Sequence, residues 1–482
     1  MLRKILLITA FCSLTLGLWA QNKDLLDRVV RDIHKEQPLK HATLSVSVYN
    51  VTKDAPVYAY DSQRSMTPAS LIKIFTTSVA FNNLGYDFRF KTTLGYSGYI
   101  DNEGTLNGNL YIIGGGDPML GSFRYRQTCP DSLFAAWYNA VKSVGIRKIN
   151  GRVCYDATIF DNQTLHNTWQ WGDVGNYYGC GASGINFHEN LFFVYFTPGK
   201  KLGYPADVES VAPANIDVRV QSEVTTGPFN SGDQVTIYGD PTAPLRMCRG
   251  TVPLGKPHFA VRGAMPNSAK TCARLFSLYL REQKMSVADS PMEVFSRQDS
   301  LVTILEYHSN TFYEIAQYTN FTSNNIYAES ILKYLGYKSY GKGSYENGSK
   351  AILDFFAQQG LEHSGVRIED GCGLSRSNRV TTDFLTRYLT KVSKMPFYND
   401  FKMSLGQVGV SGTVKNMLPE LPSNVTMRMK SGNMDGVCGY AGYCTTASGE
   451  LLSFAVLCNE YDCTGAQMKS KITRILYEIA KM

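Results

Sequence analysis

Hydrophobic patterning at the amino-terminal end of this 482-residue chain predicts a helix followed by a β-hairpin. Residues 24–37 carry apolar side chains at helical spacing, which is typical of an amphipathic helix. Two strand-like runs follow, Ala42–Tyr49 and Val57–Tyr60, and the segment between them has the polar and proline residues of a turn. A second helix is predicted from Ser70, because Thr67-Pro68-Ala69 leads into an apolar run that ends before Gly85.

The carboxyl-terminal end of the chain is predicted to contain three strands and a closing helix. Apolar and polar residues alternate over Asn424–Lys430, so this segment is predicted to be a strand that ends at Lys430. Gly439–Thr446 and Leu451–Cys458 are two further strand candidates, and Gly465–Met482 has the apolar stripe of a closing helix. The two ends together predict one α+β layer with an antiparallel sheet and flanking helices.

The middle of the chain has a different pattern. Residues 90–262 are rich in Gly, Asn and Asp and show short alternating runs, so we interpret them as an inserted, mainly β region. Two nested domains are expected within it, 90–118 with 196–262, and 119–195. The catalytic domain is then discontinuous, formed by 21–89 and 263–482. Helical periodicity returns in that second part at three places: Ser268–Gln283, Asn325–Gly336 and Gly348–Gly360.

Composition limits the classes of function. Hydrophobic residues at 44% and charged residues at 18% are typical of a globular protein, and 30 Tyr with 24 Phe favour a substantial β content. The net charge of +7 is modest for this length and its Lys and Arg residues are scattered, so no nucleic-acid partner is indicated.

The first twenty residues have the three parts of a secretory signal. Arg3 and Lys4 precede the apolar run Ile5–Leu18, and Ala20 stands at a suitable cleavage position before Gln21. A membrane anchor is the alternative, but the run is shorter than the roughly 20 residues of a span. We expect residues 1–20 to be a signal peptide and the mature protein to be exported to the periplasm, at most loosely associated with the membrane.

Cysteine usage agrees with export. Loss of Cys12 with the signal leaves ten cysteines, an even number that is typical of disulfide-bonded proteins, although their pairing cannot be deduced from sequence. Neither a C-x-x-C pair nor an H-E-x-x-H motif occurs, so no metal is implied. His188 beside Glu189 is interpreted as a packed or solvated histidine. No organic cofactor is implied either.

Candidate chemistry begins with Ser70-Leu71-Ile72-Lys73. Residues at i and i+3 share a helix face, so the Lys73 amine can reach the Ser70 hydroxyl near a helix N-terminus, which favours negative charge on that oxygen. Lys73 must be neutral to act as a general base, and burial with a second cation nearby would lower its pKa. Lys430 is the candidate second cation.

Two further motifs follow in the chain, Ser323-Asn324-Asn325 and Lys430-Ser431-Gly432. Either alone is an ordinary loop or strand-end sequence. With Ser70 and Lys73 they would form an acyl-transfer site without histidine. Ser323 would then relay a proton and Asn325 would position a substrate backbone group.

The third motif has the chemistry of a substrate-binding strand. Lys430 and Ser431 would present a cation and a hydroxyl to a substrate carboxylate, and Gly432 would let the substrate approach closely. The backbone N–H of Asn433 would share an oxyanion hole with that of Ser70.

The ordered motifs resemble those of the class C low-molecular-mass penicillin-binding proteins, the D-alanyl-D-alanine carboxypeptidases and endopeptidases of the peptidase S13 family. The resemblance covers nearly the whole mature chain and includes further segments: Gly114–Pro118, Tyr177–Ser183, Asn186–Asn190, Asn325–Ser330 and Asp370–Thr381. It implies a penicillin-recognising, transpeptidase or β-lactamase-like domain with domains inserted between the first two motifs.

The implied reaction is hydrolysis of peptidoglycan stem peptides. Ser70 would attack the penultimate D-alanine carbonyl and form an acyl-enzyme, with Lys73 as base and Lys430 as an electrostatic anchor. The resemblance also implies that β-lactams are covalent inhibitors. Two positions depart from the family pattern: Cys372 stands where Ser is usual, and Ser431 with Asn433 replaces the commoner threonine and hydroxyl residue. Cys372 is expected to be structural or disulfide-bonded rather than catalytic.

Three other functions use similar residues. A β-lactamase would need a water-activating glutamate, which the sequence does not reveal between the second and third motifs. A catalytically idle penicillin-recognising module is disfavoured because all the expected catalytic side chains are present. An α/β hydrolase is disfavoured by the absence of a G-x-S-x-G motif.

Overall fold

The computed structural model describes residues 22–288, 290–295 and 301–482, and it divides into two units. The terminal unit contains the described residues up to Tyr86, together with Ala316–Ser323 and Ile352–Met482. The second unit contains Asp87–Ile315 and Asn324–Ala351. The predicted signal peptide lies outside the described residues. Within them, no helix has both the length and the apolar character required to cross a bilayer.

The helices are numbered in chain order. Within the described residues they are α1 (22–35), α2 (Ile72–Leu84), α3 (Pro130–Ser143), α4 (Ser268–Glu282), α5 (Phe312–Thr322), α6 (Asn325–Tyr340), α7 (Tyr345–Gln358), α8 (Thr382–Val392), α9 (Tyr398–Ser404) and α10 (Gly465–Ala480).

The strands are numbered in the same way. They are β1 (Thr43–Asn50), β2 (Ala55–Tyr60), β3 (Lys91–Tyr96), β4 (Tyr99–Ile100), β5 (Thr105–Asn107), β6 (Leu110–Ile113), β7 (Lys148–Ile149), β8 (Val153–Asp156), β9 (Leu191–Thr197), β10 (Asp207–Ala212), β11 (Arg219–Gly227), β12 (Gln234–Tyr238), β13 (Leu245–Pro253), β14 (Phe259–Ala264), β15 (Met292–Val294), β16 (Val302–His308), β17 (Gly406–Gln407), β18 (Thr426–Met434), β19 (Val437–Thr445) and β20 (Leu451–Asn459).

The terminal unit is built on an antiparallel sheet in the order β17-β18-β19-β20-β1-β2. Strands from the two ends of the chain are neighbours in this sheet, since Val46 of β1 pairs with Val456 of β20. Buried residues of α1, such as Val30, and of α10, such as Ile472, share one apolar core with the strands. Helix α8 also contacts β1 and β20. The predicted α+β layer of sheet and flanking helices is therefore present.

Strand β18 is longer than the sequence pattern predicts. It continues past Lys430 to Met434, and Met434 pairs with Val437 across the two-residue turn Asp435-Gly436. Gly436 has a φ of +69°, which suits a tight hairpin turn. The prediction that the strand ends at Lys430 is wrong, because the polar run after it breaks the alternation while the Asp-Gly turn keeps the backbone paired.

The described residues of the second unit form two larger apolar cores and a small third cluster around Tyr111, Cys154 and Val294. One of the larger cores is formed by α3, α4 and the sheet β15-β8-β6-β3-β16. The other lies between the sheets β10-β9-β14 and β11-β13-β12. Residues 263–315 and 324–351 belong to this unit rather than with the chain termini, since α4 packs on β8 and β16 extends the sheet beside β3. This grouping differs from the predicted domain boundaries, and α3 interrupts a region predicted to be mainly β.

All ten cysteines of the described residues are free thiols, contrary to the expected disulfides. Several serve as small apolar side chains in separate cores: Cys272 lies in the α3–α4 core, Cys248 between the two smaller sheets, and Cys444 in the terminal core. Burial raises the pKa of Cys248 and of Cys444 to about 12, which suppresses the reactive thiolate.

Candidate active site

Ser70 lies at the entrance of α2. It occupies the middle of a short 3₁₀ turn, Ala69–Leu71, that runs directly into the α-helix, and it remains partly accessible. The preceding residue, Ala69, is buried with a φ of +48°, a conformation that non-glycine residues adopt at a cost. The surrounding structure therefore holds the Ser70 turn in an unfavourable backbone shape, as is common at functional sites.

Lys73 is fully buried one turn further along and points back at the serine. Its Nζ donates to Ser70 Oγ at 3.0 Å and to the carbonyl oxygen of Cys372 at 2.7 Å. The first distance is within the range in which a base can take a proton from a hydroxyl. The second contact fixes the amine in that position.

The loop that supplies the Cys372 carbonyl is organised by a buried carboxylate. Asp370 accepts hydrogen bonds from the backbone N–H of Gly373 at 2.7 Å and of Ser375 at 2.6 Å, and from the Asn378 amide at 2.8 Å. The Cys372 thiol is buried between them, 3.9 Å from Asp370 Oδ2. Cys372 thus acts through its backbone oxygen in this structure.

Glycine is required where this loop meets the Ser70 turn. Gly373 has a φ of +88°, and a Cβ there would lie 1.9 Å from the Ala69 carbonyl oxygen. Gly432 of β18 also packs closely against this turn. A Cβ on it would lie 2.5 Å from the Pro68 carbonyl oxygen. The backbone of the Ser70 turn is therefore held by direct contact with both segments.

A second lysine–serine pair lies in the same unit. Lys430 is fully buried, and its Nζ donates to Ser323 Oγ at 2.9 Å and to the Ser431 carbonyl oxygen at 2.8 Å. Ser323 directly follows α5 and has a φ of +56°. Burial, and then the charge of Lys73, lower the pKa of Lys430 well below its ordinary value. The lowered pKa makes proton transfer at Lys430 easier than at an exposed lysine.

The end of β18 carries the remaining predicted residues of the third motif. Ser431 Oγ is 2.7 Å from Thr413 Oγ1, which places two hydroxyls side by side, and Asn433 is exposed. Ser70 and Ser323 line an open cavity of about 470 Å³ together with these β18 residues. Its other wall includes Tyr440, Tyr461 and Lys469, the last of these from α10.

Asn325 is the one expected site residue that belongs to the second unit, as the first residue of α6. Its Nδ2 donates to the Tyr178 carbonyl oxygen at 2.7 Å. His188, weighed above as a metal ligand, is buried with Nδ1 2.9 Å from the Leu191 carbonyl oxygen, and burial lowers its pKa. It is a packed histidine, as interpreted from the sequence.

Three residues of this site were not singled out from the sequence. Asp370 lies in a segment that carried the family resemblance, so its position could have been noticed. Thr413 comes from a short turn after β17 and Lys469 from the second turn of α10. Neither has a fixed spacing from Ser70, so no local motif marks them.

The fold and the sequence both have known relatives. The structure is similar to penicillin binding protein 4 of Haemophilus influenzae, with a TM-score of 0.81 at 23% identity, covering 94% of this chain and 99% of that one. This likeness confirms the predicted fold. In sequence, the chain is 26% identical over 444 residues to a D-alanyl-D-alanine carboxypeptidase of Actinomadura sp. (strain R39), covering 89% of this chain and 79% of the relative. It is 25% identical to the D-alanyl-D-alanine carboxypeptidase DacB of H. influenzae, covering 88% and 86%.

The family model for the D-Ala-D-Ala carboxypeptidase 3 (S13) family matches residues 26–479. The fold is thus that of a penicillin-binding protein. The chain belongs to the S13 family of D-Ala-D-Ala carboxypeptidases and is therefore a peptidase. The resemblance inferred from the motifs is confirmed.

Proposed function

We propose that this protein is a serine D-Ala-D-Ala carboxypeptidase that also hydrolyses the D-Ala–diamino acid cross-links of peptidoglycan through an acyl-enzyme on Ser70. The observation that carries the proposal is the 3.0 Å contact between Lys73 Nζ and Ser70 Oγ in a solvent-connected cavity. It supplies a hydroxyl nucleophile with an adjacent base, as covalent catalysis requires.

Acylation starts with transfer of the Ser70 proton to a neutral Lys73 as the oxygen attacks the carbonyl carbon of the penultimate D-alanine. The tetrahedral oxyanion then forms between the backbone N–H groups of Ser70 and Asn433. The close approach of Gly432 to the Ser70 turn supports this assignment, because it brings β18 alongside the nucleophile.

Departure of the leaving amine requires a proton. Ser323 donates it, and the proton that Lys73 took from Ser70 replaces it, so the two transfers balance. The Lys430 amine is hydrogen-bonded to Ser323 and orients its hydroxyl. Its lowered pKa lets Lys430 give up a proton more readily than an exposed lysine does. Asn325 retains its predicted role as a positioning amide, a role that rests on the sequence motif alone.

Deacylation by water regenerates Ser70 and releases the shortened peptide. In carboxypeptidase turnover the leaving group is D-alanine, and in endopeptidase turnover it is the diamino acid of a neighbouring stem. Exported, periplasmic enzymes would meet both substrates. β-Lactams would acylate the same serine as substrate mimics; a related structure, penicillin binding protein 4 of H. influenzae, is complexed with a novel β-lactam.

The test is a mass-spectrometric time course of the mature protein with benzylpenicillin, followed by peptide mapping, alongside assays of D-alanine release. A long-lived adduct on Ser70 and D-alanine release from wild type, both lost in Ser70→Ala, are expected. Ser448→Ala, which changes a serine in the turn before β20, should behave as wild type. Full peptidase activity in Ser70→Ala would overturn the proposal. Rapid consumption of penicillin without an adduct would indicate a β-lactamase, and intact penicillin without turnover would indicate an idle module.

A further inference from the structure

A carboxypeptidase must recognise the free carboxylate at the end of its substrate, and in this chain the third-motif lysine is poorly suited to do so. Lys430 is buried, already donates to Ser323 and Ser431, and has a pKa well below its ordinary value. Lys73 is buried as well and donates to Ser70 and the Cys372 carbonyl oxygen. A different, accessible cation in the cavity would bind a carboxylate more strongly than hydroxyl groups alone.

Lys469 is such a cation. It lies on the second turn of α10, is half-buried, and lines the same cavity as Ser70. Throughout the described residues the structure pairs its amine with no carboxylate, whereas its neighbour Lys471 is paired with Glu36. Lys469 therefore adds a positive charge, with no carboxylate partner among the described residues, to the lining of the cavity that contains Ser70.

The surroundings of Lys469 strengthen an ion pair formed there. Tyr440 and Tyr461 line the same wall and contribute neutral, largely apolar rings. Partial burial reduces the screening that makes exposed ion pairs weak. The paired hydroxyls of Ser431 and Thr413 line the cavity as additional hydrogen-bond donors.

We propose that Lys469 is a specificity-determining residue that binds the terminal carboxylate of the substrate's leaving D-alanine. The inference rests on the proposed function, because it places the scissile peptide at Ser70. The terminal carboxylate is attached to the same residue as the leaving nitrogen, so it must lie within the cavity when Ser70 attacks. Lys469 thereby favours carboxypeptidase substrates over peptides with a blocked C-terminus.

The test compares diacetyl-L-Lys-D-Ala-D-Ala with its C-terminal amide as substrates of wild type, Lys469→Met and Lys469→Arg. Lys40→Met is the matched control, since it removes one positive charge from an exposed lysine outside the cavity. Loss of a hydrogen bond to a charged group predicts an about 10- to 100-fold lower kcat/KM for the free acid in Lys469→Met. The effect should appear mainly in KM, be largely restored in Lys469→Arg, and leave the amide rate nearly unchanged.

The outcomes separate this inference from the proposed function. Wild-type enzyme that is neither acylated at Ser70 nor able to release D-alanine would contradict the proposed function itself. An active wild type with equal losses for acid and amide in Lys469→Met, or with no loss, would overturn the role of Lys469. The diacetyl tripeptide has no glutamate, so a loss confined to glutamate-containing stem peptides would assign Lys469 to that carboxylate and overturn the inference too. Thermal unfolding of Lys469→Met and Lys40→Met checks that both variants fold.

Discussion

Lys430 donates a hydrogen bond to Ser323 at 2.9 Å although 107 residues separate them in the chain. Ser323 follows α5 and Lys430 lies in the middle of β18, so the two residues meet only when the terminal unit is folded. This pair and the Ser70–Lys73 pair give the cavity two hydroxyls, each bonded to a buried amine. One can serve attack and the other departure of the leaving group.

The buried amine of Lys430 predicts a pH-dependent stability. Its pKa is lowered by folding, so between the lowered pKa and the ordinary value of 10.5 the unfolded chain binds a proton that the folded chain does not. The free energy of unfolding should therefore rise with pH across that window relative to Lys430→Met, which lacks the group. Urea unfolding of both proteins at several pH values up to 10 measures the difference.

Lys40→Met provides the comparison for an exposed lysine and should follow wild type. Parallel stability curves for wild type and Lys430→Met would contradict the lowered pKa. Lys430→Arg adds a second check, because a guanidinium stays charged. It should be less stable than Lys430→Met at every pH in the series.

Because Gly432 packs against the Ser70 turn, a single methyl group added at this glycine should affect both stability and acylation strongly. A Cβ at Gly432 would lie 2.5 Å from the Pro68 carbonyl oxygen, so Gly432→Ala must push the turn away from β18. We expect a cost of about 1–3 kcal/mol in unfolding free energy and markedly slower acylation by penicillin. Gly172→Ala is the control, because a Cβ on Gly172 would have no other atom within 4 Å. Equal acylation rates in both variants would refute this role for Gly432.

Cys372→Ser should leave the enzyme active. The residue positions Lys73 through its backbone oxygen, and a serine hydroxyl in place of the thiol can still donate to Asp370. The free energy of unfolding should change by no more than about 1 kcal/mol. Acylation rate and chemical unfolding are the measurements, and loss of acylation with an intact fold would instead give the thiol a part in the chemistry.

Asp370→Asn should be more damaging than Cys372→Ser. The carboxylate accepts two backbone N–H groups and one amide, and an asparagine would turn a donor toward one of them. Each buried donor left unsatisfied costs about 1–3 kcal/mol, and the loop that holds the Cys372 carbonyl would loosen. Denaturant unfolding and penicillin acylation should both show the loss. Asp24→Asn, at an exposed position on α1, should show neither.

Local sequence patterns were sufficient for the elements at the chain ends. The β1–β2 hairpin, α2 and α10 were predicted within a few residues. The strands and α10 show the periodicity of the face they bury, whereas α2 is buried on all sides over Ile72–Phe81 and was marked by Pro68 before it and Gly85 after it. The end of β18 was missed because pairing with β19 continues through a polar run. Helix α4 was predicted as a helix but assigned to the wrong unit, since an amphipathic pattern gives no information on which sheet the helix will cover.

The residues of the site also divide into those that local spacing predicts and those that only the folded chain brings together. Ser70 and Lys73 are one helical turn apart, so their contact follows from local geometry. Ser323 and Lys430 could be paired only through the ordered motifs and their family resemblance. Thr413 and Lys469 lie on a turn and a helix whose distance from Ser70 depends on the whole sheet, so sequence spacing could not indicate them.

The pairing of β1 with β20 has a consequence for biosynthesis. The sheet behind Ser70 is incomplete until residues 451–459 are available, and the core remains open until α10 has formed. Such pairing between distant parts of a chain is slow and comes late in folding. We therefore expect the nascent chain to carry Ser70 for almost its entire synthesis without a complete site, and to acquire peptidase activity only after α10 is in place.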